Sequence, residues 1–323
     1  MQDLKDIRRD QIVNSKGVPY PEFRRSLSPK YAVVWRDIFI GYLALALTAG
    51  WAIIMDTQYP VVWMPLTVFS CALSFGYAHH YIQLFFHEAT HYNLIRDRKI
   101  NDCLANIFIG LLVGQNIKTY RPIHLMHHQH LGTPEDTEHS YFEALSPRFI
   151  LESLTGIRVI KVLSNRREIP LQSISNASNE QKSSFNYMPL CGVALNGAIV
   201  LGTMALGYWS LSISWVIGLI VIFPFLGSVR QLLEHRSEYA QDAVDYSKVP
   251  HGKTNRMFGT GVIASTFGAA GFNRHFLHHW DMGISYTRLS DLEKFLLDTE
   301  VAPTLRGHQT GYFQTFGKLF ARK

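Results

Sequence analysis

Eight histidines in three short clusters set the chemistry open to this chain of 323 residues. The clusters are His87-Glu88-Ala89-Thr90-His91, His124-Leu125-Met126-His127-His128 and His275-Phe276-Leu277-His278-His279. On a helix, residues at i, i+3 and i+4 share a face. The first cluster therefore presents two imidazoles from one stripe, and each of the others presents three. With 15 histidines in the chain, a given H-x-x-H-H pattern arises by chance about 0.03 times, yet it occurs twice. This is the pattern of a metal site. Tetrahedral zinc takes four ligands and an octahedral ion six, so two metals are the economical reading of eight imidazoles. Ligand type alone does not choose the metal, because imidazole suits Zn, Cu, Fe and Ni alike.

The elements that must position these clusters are membrane spans. Four apolar runs, at about 38–55, 61–78, 188–209 and 211–228, approach the ~20 residues that a bilayer-crossing helix needs. Tyr59-Pro60 separates the first pair and Ser210 the second, which predicts two tight helical hairpins. Met1 to Arg36 holds eight Lys or Arg, His87 to Tyr187 eleven and Arg230 to Lys323 twelve, together all 31 in the chain. The two connections on the other side have none. This positive-inside asymmetry predicts that both termini and the central loop are cytoplasmic. The net charge of +6 thus reports membrane orientation and contact with anionic lipid, and nucleic acid is not needed to explain it. The three cysteines, Cys71, Cys103 and Cys191, form no Cys-x-x-Cys pair and support neither a disulfide framework nor a thiolate zinc site.

With two hairpins, all three histidine clusters fall on the same side of the membrane and can converge. The chain is expected to be one all-α integral membrane domain with a cytosolic histidine-rich helical cap from 87–187 and 229–323. Leu104 to Ile117 tests this arrangement, because a crossing there would separate the first two clusters by a bilayer. At 14 residues, with Asn106, Gly114 and Gln115 in it, it is short for a span and is expected to lie on the surface or re-enter. Pro147 to Leu163 reads as amphipathic, at the headgroup level or in the cap. Asn165 to Asn186 reads as a loop. A histidine-only site reached from the lipid suggests lipid chemistry, and iron with dioxygen can break an unactivated aliphatic C–H bond.

The clusters and their order resemble those of the membrane fatty acid desaturase and hydroxylase superfamily, whose signature is three histidine boxes around two transmembrane hairpins. His87/His91, His124/His127/His128 and His275/His278/His279 match the boxes, and the likeness spans about 75–295. Asn273 before the third box and Ile284-Ser285-Tyr286-Thr287-Arg288-Leu289 after it also resemble the family. Trp280-Asp281-Met282-Gly283 departs from the more usual sequence there. The resemblance implies two iron ions, dioxygen as co-substrate, and a lipid or acyl thioester substrate. It also implies a separate electron donor, a ferredoxin, rubredoxin or cytochrome b5 system. A ninth ligand is carried over to His235, with Gln231 one turn earlier as a weaker candidate acting through water. The reaction implied is desaturation of an aliphatic chain, with lipid or carotenoid hydroxylation or ketolation on the same scaffold as the alternative.

Other readings stand beside this one. His87-Glu88-x-x-His91 is also the H-E-x-x-H of zinc peptidases, in which Glu is the general base, but that leaves the other two clusters unexplained. A metal transporter or haem-binding protein would need ligands inside the spans. Under the desaturase reading Glu88 orients a ligand imidazole at most. His80, seven residues from His87, is about 10 Å away along a helix and is expected to be a structural, hydrogen-bonded histidine, with His79 having less claim. His130, His139 and Asp136 either support the site or belong to a solvated loop. His251 and His308 are expected at the surface. Tyr77, Phe85, Phe86, Tyr92 and Trp280 are expected in packing or at the membrane interface.

Overall fold

The computed structural model describes Leu4 and residues 7–158, 160–161 and 186–320. Among these residues it is helical, with no strand and two isolated β-bridges, Val13 with Pro19 and Met257 with Gln309. A short α1 (Tyr20–Ser26) leads into four helices long and apolar enough to cross a membrane. They are α2 (Tyr31–Gln58), α3 (Val61–Thr90), α7 (Met188–Ala205) and α8 (Trp209–His235). Between the hairpins lie α4 (Arg98–Val113), α5 (Ile117–His130) and α6 (Pro147–Leu154). After them come α9 (Val262–Phe267), α10 (His275–Trp280), α11 (Tyr286–Leu297), α12 (Ala302–Gly307) and α13 (Tyr312–Phe320).

Pro60 ends the first span, since it pushes Tyr59 into extended backbone. The second turn lies at Leu206–Tyr208, where Gly207 takes φ +84°, rather than at Ser210 alone. Ser210 instead lies in the first turn of α8, and its N–H donates to Asp56 Oδ2 at 2.9 Å, which ties the two hairpin turns together. The helix of the second span runs on past residue 78 to Thr90, so the first histidine cluster is a rigid extension of that span. α3 also crosses α8 closely. A Cβ on Gly76 would lie 2.3 Å from Ile222 Cβ, and one on Gly218 would lie 2.7 Å from Phe75 Cβ. Gly218 opens a π-helical turn, Gly218–Ile222, which adds a residue to that turn of α8 and shifts the face that follows.

The questionable segment Leu104 to Ile117 does not run straight through. α4 and α5 meet at 89°, at Gly114 with φ +67°. Asn106 Oδ1 accepts the Ile117 N–H at 2.8 Å across this bend. The tip rests on the first two turns of α7, where a Cβ on Gly192 would sit 2.6 Å from Gly114 Cα. His91 and His124, which flank the segment, come within 3.1 Å of each other, so the chain returns to the place it left. Pro147 to Leu163 is not one helix, because α6 stops at Leu154 and Gly156 follows with φ +75°. The loop expected at Asn165 to Asn186 falls almost wholly outside the described residues.

The departure Trp280-Asp281-Met282-Gly283 anchors the N-terminal segment. Trp280 is buried against Tyr20, ring centroids 4.7 Å apart, and Asp281 accepts from the Tyr20 hydroxyl at 2.6 Å and from Arg24 Nε at 2.7 Å. Burial alone would raise the Asp281 carboxyl above its usual 3.8, but these two hydrogen bonds outweigh it and hold the group lower. A folded value below the unfolded one adds stability above the unfolded value, and that stability is lost as the pH falls through the folded one. Asp281→Asn is therefore expected to cost about 1–3 kcal/mol at pH 7. The thermal unfolding curves of variant and parent, in detergent, should converge as the pH falls through the lowered folded value of this carboxyl.

Candidate metal centre

The second and third clusters sit on helices that sequence alone makes short. Asn116 caps α5 by accepting the Lys118 N–H at 2.9 Å. Asn273 sets the start of α10 by donating from Nδ2 to the Gly259 carbonyl at 2.8 Å. With α3 and α8 delivering His87, His91 and His235, nine imidazoles meet in two groups. His87, His91, His124, His128 and His278 form one, and His127, His235, His275 and His279 form the other. Within each group the ligand nitrogens all lie within 4.8 Å of one another.

The two H-x-x-H-H boxes divide between the groups in opposite senses. In the second box the i and i+4 residues, His124 and His128, enter the five-membered group, while the i+3 residue, His127, enters the other. In the third box His275 and His279 enter the four-membered group and His278 crosses to the first. Rings at i and i+4 differ by about 40° around a helix, whereas i+3 points about 60° the other way. One turn of helix thus serves two neighbouring ions, which is the physical reason for the spacing.

The packing of these nitrogens fits metal ions. In the first group the Nε2–Nε2 distances are 2.7 Å for His87–His278, 3.0 Å for His278–His128, 2.9 Å for His128–His124 and 3.1 Å for His91–His124. In the second they are 3.0 Å for His275–His235 and 3.1 Å for His279–His275. Two imidazole nitrogens at right angles on one ion, with bonds of ~2.0–2.1 Å, stand about 2.9 Å apart. Hydrogen bonds cannot satisfy this chain of contacts, because each neutral ring carries one N–H and the remaining lone pairs face each other. A cation among them satisfies all at once. Burial first, and the neighbouring imidazoles second, hold His91, His128, His275, His278 and His279 well below the ordinary histidine range, which keeps them neutral and able to ligate.

Surrounding groups orient the rings. His127 Nδ1 faces both oxygens of Asp136 at 2.9 and 3.1 Å, which leaves Nε2 for the centre. Asp136 is fully buried and also accepts from the Tyr141 hydroxyl at 2.5 Å. Burial alone would lower His127; the carboxylates of Asp136 and Glu138 outweigh it and push the group up to about 9. His235 Nδ1 lies 3.1 Å from the Thr254 carbonyl. Gln231 donates to Glu138 rather than pointing to a ligand. Glu88 holds Asn93 Nδ2 at 3.0 Å and the Tyr286 N–H at 3.2 Å, so it fastens the start of α11 rather than an imidazole.

Two carboxylates escape a reading of the boxes. Glu138 Oε1 lies 3.6 Å from His124 Nδ1 and Oε2 lies 4.0 Å from His127 Nε2. Glu234 Oε2 lies 3.6 Å from His275 Nε2 and pairs with Arg230 at 2.6 Å. The only signals were local: Glu138 follows Asp136 by two residues, and Glu234 precedes His235. His80 joins neither group, and His79 is buried with Nδ1 2.7 Å from the Phe75 carbonyl. His139 stacks on Phe142; among the described residues His130 is in neither group. His251 corrects an expectation. It is buried, with its ring 5.3 Å from Tyr141 and 4.6 Å from Tyr246, because three aromatic side chains enclose it. His308 is half-buried on Phe276.

A chamber of about 260 Å³ with both polar and apolar walls opens onto the ligands, lined by His80, Gln83, Leu84, Glu138, Phe223 and Arg230 among others. An apolar chamber of about 250 Å³ adjoins it, walled by Tyr77, Leu226, Val229, Phe267, Phe313 and Phe316 among others. His80 and Arg230 line both. The remaining aromatics pack elsewhere: Phe85 against Tyr81 and Tyr286, Phe86 against Tyr120, and Tyr92 beneath Arg121.

Four long apolar helices with two buried groups of imidazoles at one end define a multi-pass membrane metalloprotein. The fatty acid desaturase profile matches residues 62–316. The chain belongs to the fatty acid desaturase family, a family of di-iron oxidoreductases. No curated protein matches it.

Proposed function

We propose that this protein is an oxygen-dependent di-iron desaturase that introduces a double bond into the aliphatic chain of a lipid or acyl thioester. The observation that carries this reading is the division of nine imidazoles into groups of five and four, with each H-x-x-H-H box serving both. His87, His91, His124, His128 and His278 would hold one iron, and His127, His235, His275 and His279 the other. When bound, such a pair supplies the redox chemistry with dioxygen that breaks an unactivated C–H bond. The chain's own part is positional. Asp136 fixes the tautomer of His127 and the Thr254 carbonyl that of His235, Arg230 balances the Glu234 carboxylate beside His275, and the apolar chamber keeps water from the alkyl chain.

The whole chain acts as one domain, with the centre and both termini in the cytoplasm, as the distribution of Lys and Arg supports. A separate electron carrier and membrane lipid are its partners. Mass spectrometry of lipids from cells expressing the protein tests the reaction, with a loss of two hydrogens expected. A second reading, hydroxylation or ketolation, is favoured by the polar side chains Gln83 and Gln231 among the mixed walls over the ligands, and a gain of one oxygen in the product would replace the first.

The H-E-x-x-H alternative is separated by Glu88→Gln. A zinc peptidase loses nearly all activity when its general base goes. Here Glu88 faces Asn93 and Tyr286, so the variant should keep its iron and remain within about tenfold of parental turnover, at about 1–3 kcal/mol of stability. Iron analysis and a product assay on the variant check both.

A further inference from the structure

The cap carries another concave surface, apart from the chamber over the ligands. It encloses about 280 Å³ and is walled by Thr254, Asn255, Arg256, His308, Gln314 and Lys318 among others. Two contacts connect its floor to the histidine groups. The Thr254 carbonyl meets His235 Nδ1 at 3.1 Å, so one hydrogen bond separates the surface from a ring of the four-membered group. The His308 ring stacks on Phe276 with centroids 4.1 Å apart and planes 19° apart, and Phe276 follows His275 directly within the third cluster. The Phe276 N–H donates to the Arg256 carbonyl at 3.2 Å, which fixes this floor against α10.

The polar lining of the surface suits a charged partner rather than lipid. Arg256 and Lys318 flank Glu238 at 3.8 and 3.5 Å; Lys253 and Arg306, exposed and next in sequence to lining residues, leave the rim with excess positive charge. α13 divides its faces accordingly. Phe313 and Phe316 line the apolar chamber, whereas Gln314 and Lys318 line this surface, so it faces water rather than lipid.

We propose that a small acidic one-electron carrier protein docks on this surface and delivers electrons to the histidine-held pair through Thr254–His235 and His308–Phe276. This rests on the di-iron reading above. Each docking oxidises the carrier by one electron and reduces the pair by one. Two deliveries with two protons, together with the two hydrogens taken from the substrate, convert one dioxygen to two waters in a desaturation. Opposite charges on the two faces speed the encounter and make it sensitive to salt.

The test uses the full iron-loaded chain in lipid nanodiscs and a reduced acidic [2Fe–2S] ferredoxin as the probe, with its oxidation followed by rapid-mixing absorbance. Lys318→Glu should slow ferredoxin oxidation about tenfold at low ionic strength, with the difference shrinking at high salt. His308→Leu should slow it at saturating ferredoxin while the half-saturating concentration stays unchanged. Both variants should keep parental iron content and parental rates of reduction by dithionite, which needs no docking surface. Iron content is read first. A parent chain without iron sinks the metal reading and this proposal with it. Iron-loaded parent that ferredoxin does not reduce, or variants that match the parent, overturn the docking surface alone.

Discussion

His278→Ala is expected to reduce turnover by a hundredfold or more and to deplete the metal of the five-histidine group. Groups that merely orient a ligand are worth about 10–100-fold in metal affinity or activity, so loss of a ligand sets a larger effect. His278 is the member of the third box that crosses to the first group, 2.7 Å from His87 Nε2 and 3.0 Å from His128 Nε2. Its removal opens the first group while leaving His275 and His279 in place for the second. The variant should therefore keep a fraction of the parental iron rather than none, as measured by elemental analysis beside the product assay. Circular dichroism at the parental value would show that the helices persist. His251→Ala is no inert control for this experiment, since its ring packs against Tyr141, which bonds Asp136; a surface change such as Lys99→Ala serves instead.

Asp136→Asn is the second large effect. The carboxylate is fully buried and receives three neighbours: His127 Nδ1, the Tyr141 hydroxyl and the Glu138 N–H at 2.8 Å. An amide keeps the volume but offers an N–H where an acceptor is needed, so one contact turns repulsive and the His127 ring loses its fixed tautomer. Metal affinity at the four-histidine group should fall about 10–100-fold, read by competition with a chelator of known strength. Asp136 bonds no ring of the first group directly and reaches it only through Glu138 beside His124, so the iron held there should resist the chelator more nearly as in the parent. Equal release from both groups would show that the two ions bind as a unit.

Much of this site was legible in the sequence because metal chemistry restricts residue type and helical geometry restricts spacing. The eight clustered histidines needed no structure to be noticed, and the parity of two hairpins required them to converge. His235 had no cluster around it and came only through the family resemblance. The span limits were less legible, because apolar composition ends at residue 78 while the helix of α3 continues to Thr90. A helix leaving the bilayer changes its side chains without changing its backbone. The second turn shifted to Gly207 for a similar reason: hydropathy marks Ser210 as polar, whereas the backbone turns where a positive φ is tolerated.

Roles that depend on which way a side chain points were not legible. Glu88 lies within the first cluster yet turns to Asn93 and Tyr286. Glu138, in a segment that reads as a loop, comes back beside two box histidines. His251 was expected at the surface, yet Tyr141 and Phe142 from a distant part of the chain enclose it together with the nearby Tyr246. Such contacts arise from long-range packing, which local pattern does not encode.

The central claim is most directly tested by counting the iron in the detergent-purified protein alongside its Mössbauer spectrum. Two irons per chain, in two distinct all-nitrogen environments, are predicted from the five-and-four division of the imidazoles. A single ion per chain, or zinc in place of iron under iron-replete expression, would contradict it.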